Sequence, residues 1–260
     1  MFLRADDLVV HVQVEGPAEA PPLLLLHSLG TSLHVWDAQA ASLAHDFRVI
    51  RPDLRGHGLT SVTQGPYSLE RMAADMLAVL DALGVARAHV AGLSIGGAIA
   101  QAMAAAAPER VRSLILCDTA MQFPPASLWR ERAVLVRARG MEPIVTPVLA
   151  RWVTEDFMDA PATEGLRAML RRTDPEGYAG AAEALAVGDL RASTAGLRLP
   201  ALVLVGDQDA ATPPETARAI AAAIPGAALH ILPGLAHIPT VQHPAAVTAP
   251  MHTFLMAQPA

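Results

Sequence analysis

Apolar positions along the chain fall into short runs of two kinds, and the kinds alternate. Leu8 to Val14 alternates apolar with polar residues, the period of a strand, and Glu15-Gly16-Pro17 ends it. Leu23-Leu24-Leu25-Leu26 is a continuous apolar run between Pro21-Pro22 and His27-Ser28-Leu29-Gly30, which suits a strand covered on both faces. Short runs of similar character recur at Phe47 to Ile50, Ala88 to Ala91, Val111 to Leu116, Ala201 to Val205 and Ala228 to Leu232. Helical spacing lies between them. Met72, Met76, Val79, Leu80 and Leu83 share one face of a helix opened by Ser68-Leu69-Glu70-Arg71 and stopped by Gly84. Trp36 to Leu43, Gly97 to Ala107, Pro213 to Ala223 and Pro244 to Leu255 read as further helices. This alternation predicts an α/β fold with a mostly parallel central sheet flanked by helices.

The rhythm breaks near Met121. From there to Arg191 the segments are helical, with no clear strand, and are punctuated by Pro124-Pro125, Pro143, Pro147, Pro161 and Pro175. The expected organisation is a core in two parts, residues 1–120 and 192–260, with a helical lid at 121–191 inserted before the last two strands. Trp129, Trp152, Phe157, Tyr178 and the arginines from Arg130 to Arg172 lie in that insertion. Lids carry binding residues and exclude water.

One junction organises the chemistry. Gly92-Leu93-Ser94-Ile95-Gly96 is G-x-S-x-G, with an apolar strand before it and a helix after it. A serine on such a turn is exposed at the C-terminal edge of a sheet, on a bend tight enough to need the flanking glycines. The bend aims the Ile95 N–H and the helix N-terminus beside that hydroxyl. The His27-Ser28-Leu29-Gly30 loop follows a central strand, which makes Leu29 the candidate for a second N–H donor.

A serine hydroxyl is a weak nucleophile near neutral pH and needs a base, itself oriented by an acid. In this architecture the order along the chain is Ser, acid, His. His230 falls inside a strand, His252 inside the last helix, and His243 at that helix's start. His237, in the Gly-containing loop after the last strand, is the predicted base. Asp207 and Asp209 share the loop after the penultimate strand, and Asp118 ends the strand after the serine's helix. Asp209 is the first choice for the acid, Asp207 the second and Asp118 the third.

Composition narrows the field. The 260 residues suit one domain with an insertion, and a 52% hydrophobic content supplies a large core. The formal charge of −6 argues against a nucleic-acid surface. The chain contains no lysine and no asparagine. Schiff-base lysine chemistry, a P-loop lysine and N-glycosylation are thereby excluded. Arg51 to Gly58 holds glycines but lacks the third one, and the βαβ context, of a dinucleotide site. Histidines are scattered and Cys117 is the single cysteine, so no metal motif and no intrachain disulfide are expected. No apolar stretch is long enough to span a membrane. A cytoplasmic protein without cofactor or metal is the expectation.

The chain resembles the α/β-hydrolase family over essentially its whole length, and within it the 3-oxoadipate enol-lactonases of aromatic catabolism. The stretches that carry this are Leu24 to Trp36, Arg51 to Gly58, Ala88 to Gly97, Ala107 to Leu116 and Gly206 to Pro214. Narrower likenesses are Trp129-Arg130-Glu131-Arg132 and Thr173-Asp174-Pro175-Glu176-Gly177-Tyr178. The resemblance implies Ser94, Asp209 and His237 as the triad, and Leu29 and Ile95 as backbone donors of the oxyanion hole. His27-Ser28 departs from the family's usual Asn-Ser or His-Gly, and Gln242 stands where a Glu is usual. An enol-lactone of this kind carries a carboxylate, which needs a charge partner once out of water. Trp129 and Arg132, three apart on one predicted helix, are the candidates to cover the ring and pair with that carboxylate. The partner implied is a small ester or lactone, cleaved through an acyl-enzyme. Other readings on the same fold are a broad carboxylesterase or perhydrolase, a carbon–carbon bond hydrolase of ring-cleavage products, and a non-catalytic receptor for small molecules.

Overall fold

The computed structural model describes residues 1–258. In chain order it runs β1 (Phe2–Ala5), β2 (Leu8–Glu15), β3 (Pro22–Leu26), α1 (Asp37–Leu43), β4 (Arg48–Pro52), α2 (Leu69–Ala82), β5 (Ala88–Leu93), α3 (Ile95–Ala106) and β6 (Val111–Cys117). Then come α4 (Ala126–Arg139), α5 (Glu142–Trp152), α6 (Pro161–Arg172), α7 (Pro175–Val187) and α8 (Arg191–Ala195). It closes with β7 (Ala201–Gly206), α9 (Pro214–Ala223), β8 (Ala228–Leu232), α10 (Pro239–Gln242) and α11 (Pro244–Met256).

The strands form one sheet in the order β1-β2-β4-β3-β5-β6-β7-β8. From β4 across to β8 every pairing is parallel, while β1 and β2 join antiparallel. Strand β1 was not legible in the sequence. It is a four-residue edge strand, largely exposed, that turns back through Asp6 at φ 55°. Its short length and lack of alternation leave no periodic signal.

The parallel register brings the ends of β3, β5, β6, β7 and β8 to one edge of the sheet. After β3 the chain goes outward to β4, then returns to the other side as β5. Ligands bind at such a reversal, outside the carboxyl ends of the strands. Strand β5 is paired on both sides, Leu24 beside Val90 and Gly92 beside Leu116, and every residue in it is buried. Leu23 to Leu26 in β3 are fully buried, so truncating one to Ala costs about 2–5 kcal/mol. Helix α3 is buried from Ile95 to Ala104, and its small side chains let it lie close against the sheet and α2. Ser68 caps α2 by accepting the Arg71 N–H at 3.1 Å.

Helices α4 to α8 all fall between β6 and β7. The two ends of this stretch meet in an antiparallel bridge between Gln122 and Asp189. Arg137 on α4 pairs with Glu176 (2.7 Å) and Glu183 (2.5 Å) on α7, and Arg171 on α6 with Glu142 on α5 (2.7 Å). The stretch is also pinned to the core. Tyr67 N–H donates to Gly180 O, and Ile238 N–H to Trp152 O. Gly177 sits so close to Gly56 that a Cβ on it would overlap the Gly56 carbonyl.

Candidate active site

Ser94 stands between β5 and α3 at φ 57° and ψ −118°, a conformation that costs a non-glycine residue about 1–3 kcal/mol. The surroundings hold it there. Its N–H donates to Cys117 O at 2.9 Å, and Thr119 Oγ1 donates to its carbonyl at 2.6 Å. A Cβ on Gly92 would strike the Gly96 backbone, and one on Gly96 would strike Leu26 O. Both glycines are therefore needed for strand and helix to close on each other. Gly97 and Ala98 N–H groups turn back to Ser94 O, whereas the Ile95 N–H makes no such bond and is left at the head of α3.

His237 lies in the loop after β8 and is 3% exposed. Its Nδ1 is 2.9 Å from Asp209 Oδ2. Asp209 also accepts the Ala211 N–H (2.7 Å), the Thr212 N–H (3.0 Å) and the Thr212 hydroxyl (2.6 Å). Burial pushes its carboxyl upward, but the His237 charge and these donors more than offset that and leave it below the usual range. Asp207 is exposed and turned away, accepting the Gly234 N–H at 2.8 Å. Asp118 is fully buried and takes the Gly206 N–H at 2.9 Å. The other late histidines are elsewhere. His230 is exposed on β8, His243 caps α11, and His252 pairs with Asp46 at 3.0 Å.

The loop at Leu29 is fixed by two buried imidazoles. His57 Nε2 accepts the Gly30 N–H at 3.0 Å while its Nδ1 bonds Arg55 O. His27 Nε2 accepts the Leu54 N–H at 2.9 Å, with Nδ1 bonded to Ser28 O. Both rings therefore sit as neutral tautomers. Burial, helped by the neighbouring His27, pushes His57 down to about 3. The His27 departure thus has a structural role: it ties the loop after β3 to the loop after β4. Gln242 is likewise a tie, accepting the Ala236 N–H and donating to Thr154 Oγ1.

Ser94, His237 and Leu29 line a common cavity. Trp129 and Arg132 of α4 line the same cavity, with the Arg132 guanidinium over the Trp129 ring at 5.2 Å. Arg151 and Trp152 of α5, and Tyr178 of α7, complete that wall. These three were not singled out as site residues from the sequence. Arg137, Arg167, Arg171 and Arg191 each pair with a carboxylate, but among the described residues Arg132 and Arg151 have no acidic partner. Arg151 instead donates to Ala210 O at 2.8 Å, beside the acid loop. Burial and the nearby Arg132 charge draw its pKa down.

Asp118, Asp209 and His237 are the one group of three metal-ligand side chains found close together among the described residues, with ligating atoms within 4.8 Å of one another. Asp209 is already filled by the Ala211 and Thr212 donors and by His237 Nδ1, which is not an open ligand set.

A model described as the alpha/beta hydrolase fold matches residues 21–142, and one described as TAP-like protein matches residues 185–258. The chain is 36% identical to 3-oxoadipate enol-lactonase 2 of Acinetobacter baylyi, over 94% of this chain and 92% of that protein. The chain belongs to the α/β-hydrolase family. Among solved structures, the enol-lactonase from Burkholderia xenovorans LB400 superposes with a TM-score of 0.96 at 36% identity, covering 98% of this chain and 100% of that one. A hydrolase from Pseudomonas aeruginosa PA01 superposes with a TM-score of 0.95 at 41% identity, covering 99% and 98%. This α/β-hydrolase is a hydrolytic enzyme that resembles the 3-oxoadipate enol-lactonases. No helix among its described residues is long and apolar enough to cross a membrane.

Proposed function

We propose that the protein opens an enol-lactone bearing a carboxylate, 3-oxoadipate enol-lactone by its likeness to the enol-lactonases, through a serine acyl-enzyme. Ser94 is the nucleophile, His237 the base and Asp209 the acid that fixes the His237 tautomer. As Ser94 Oγ adds to the lactone carbonyl, its proton passes to His237 Nε2. The carbonyl oxygen, now an anion, accepts the Leu29 and Ile95 N–H groups. The ring C–O bond then breaks. The enol oxygen takes the His237 proton and stays tethered within the acyl group. Water, deprotonated by His237, releases 3-oxoadipate as its enol, which ketonises. These steps call on no cofactor and no metal, so activity persists after exhaustive chelation. Helices α4 to α7 act as the lid whose inner wall holds the substrate.

One observation carries this reading. The cavity that holds Ser94 and His237 is walled by two arginines without acidic partners. A half-buried cation is tolerated where its counter-charge arrives with the substrate. Trp129 offers its face to the planar ring, and Arg132 and Arg151 meet the carboxylate. Purified protein assayed on freshly generated enol-lactone and on p-nitrophenyl acetate tests it. The expected result is a kcat/KM at least about 100-fold higher for the lactone, the scale of one desolvated ion pair. A neutral ester turned over faster than the lactone makes the protein a general esterase. Tight binding without turnover makes it a receptor.

A further inference from the structure

Asp118 is the buried acid for which the mechanism has no use. It follows β6 at φ 44°, is fully buried, and its own N–H donates to Leu204 O at 2.8 Å. One oxygen, Oδ1, accepts the Gly206 N–H. The other, Oδ2, is buried with no hydrogen-bond donor facing it. Yet it is not remote. Asp118, Asp209 and His237 each place a side-chain atom within 4.8 Å of the other two.

Two ionised carboxylates cannot persist side by side in a site closed to water, so the pair holds one proton. The donors decide which group holds it. Asp209 faces two backbone N–H groups, the Thr212 hydroxyl and the His237 ring. Arg151 on α5 attracts it as well. Asp118 faces a single N–H and has no ion pair among the described residues. Its remaining titratable neighbours are Cys117 beside it in the chain, and Asp209 and His237 from the loops after β7 and β8. The negative charge therefore belongs on Asp209 and the proton on Asp118.

We propose that Asp118 is a neutral carboxylic acid that donates its proton to the Asp209 carboxylate, and so positions the acid of the triad. The inference rests on the assignment of Asp209 and His237 above. A proton on Oδ2 gives the orphaned oxygen its partner and adds another hydrogen bond to Asp209. Burial and the Asp209 charge hold the Asp118 carboxyl well above the usual range, in keeping with that state. As a neutral group it places no second negative charge beside His237. It acts through Asp209 and does not reach the substrate. An amide matches this pattern: its oxygen accepts the Gly206 N–H and its NH₂ donates to Asp209. Asparagine is therefore the conservative replacement.

The test compares Asp118→Ala, Asp118→Asn and Asp209→Asn in the full chain, with kcat/KM against pH on p-nitrophenyl acetate. Asp118→Ala is expected to lose about tenfold in kcat, the scale of one buried hydrogen bond. Asp118→Asn is expected to rescue most of that loss and to keep the acid limb, set by His237, within about 0.3 pH unit of wild type. An acid limb displaced downward by about one unit or more in Asp118→Asn means that a negative charge has been lost, and overturns the proposal. Wild-type activity in a folded Asp118→Ala overturns it also. Asp209→Asn reports on the triad separately, because near-normal activity there defeats the Asp209 assignment whatever Asp118 does.

Thermal denaturation gives a second readout that needs only Asp118→Asn. A native Asp118 that keeps its proton while the unfolded chain releases it, above about pH 3.9, makes wild type less stable as pH rises. The Asp118→Asn protein lacks that slope, so its Tm gains on wild type between pH 5 and pH 8. A Tm difference from wild type that stays flat over that range means that the native Asp118 is ionised like the unfolded one, and refutes the proposal.

Discussion

The two walls of the cavity are built differently. On the sheet side each candidate group is locked by hydrogen bonds. Ser94 is clamped by Cys117 and Thr119, Leu29 is fixed through Gly30 and His57, and Asp209 is held by Ala211, Thr212 and His237. On the helical side, Trp129 bonds Phe123 O, Arg132 lies on Trp129, and among the described residues neither Arg132 nor Arg151 meets a carboxylate. The sheet wall is preorganised for charge that develops during a reaction. The helical wall carries positive charge that no carboxylate among the described residues meets. The function proposed above assigns the chemistry to the first wall and the choice of substrate to the second.

Mutations on the sheet wall should damage turnover with any ester. Ser94→Ala is expected to lower kcat on the order of 10⁴–10⁶ with the fold intact, since the turn is held by Gly92, Gly96 and the Cys117 carbonyl. Asp209→Asn should cost on the order of 10³–10⁴, and Asp207→Asn less than about threefold, because Asp207 bonds only the exposed turn at Gly234 and Gln208. Steady-state kinetics on one neutral ester rank all three. Equal losses from Asp207 and Asp209 would dissolve the distinction between a buried and an exposed acid.

On the helical wall the effect should depend on the substrate. Arg132→Leu is expected to raise KM for the carboxylated lactone about 10–100-fold, and for p-nitrophenyl acetate by less than about threefold. Arg151→Leu should do the same and also lower kcat modestly, because Arg151 braces Ala210 in the acid loop. If both substrates respond alike, the arginines serve packing, and the two walls share one role.

The smallest effect separates the walls by pH. Residues 121–191 contain no histidine, whereas His27 and His57 are buried under the Leu29 loop. His57 is depressed to about 3 in the folded protein, so below about pH 6.5 the unfolded chain takes up a proton that the native state refuses. Stability therefore falls as pH falls through that range, by at most about 1.4 kcal/mol per pH unit for this one group. Urea denaturation at pH 7 and pH 5 should show a shallower slope in His57→Gln. An unchanged slope would mean that the folded protein protonates His57 as readily as the unfolded chain does, and gives up the Gly30 bond at little cost.

Local pattern was enough for the scaffold and for nominating the candidate residues in the order serine, acid, histidine. A strand-turn-helix with glycines at fixed offsets is made by neighbours in sequence, so Ser94 was legible, and with it Ile95. Chain order and loop position then singled out His237. The apolar runs gave every parallel strand, because burial on both faces writes a continuous hydrophobic segment. The edge strand β1, four residues long and largely exposed, left no such trace.

What the fold alone decided depends on residues distant in sequence. Asp207 and Asp209 are two apart in one loop; the sequence ranked Asp209 first, and the fold separates them physically by burying Asp209 against His237 and leaving Asp207 exposed. Arg151, Trp152 and Tyr178 reach the cavity because α5 and α7 turn particular faces inward, which helical periodicity does not specify when arginines and aromatics are spread round each helix. The second carboxyl beside Asp209 is brought there by the pairing of β6 with β7. A residue's chemistry is encoded locally, but its electrostatic neighbours come from other strands and helices. The charge states and the two-wall division proposed here therefore rest on the tertiary structure and not on local sequence.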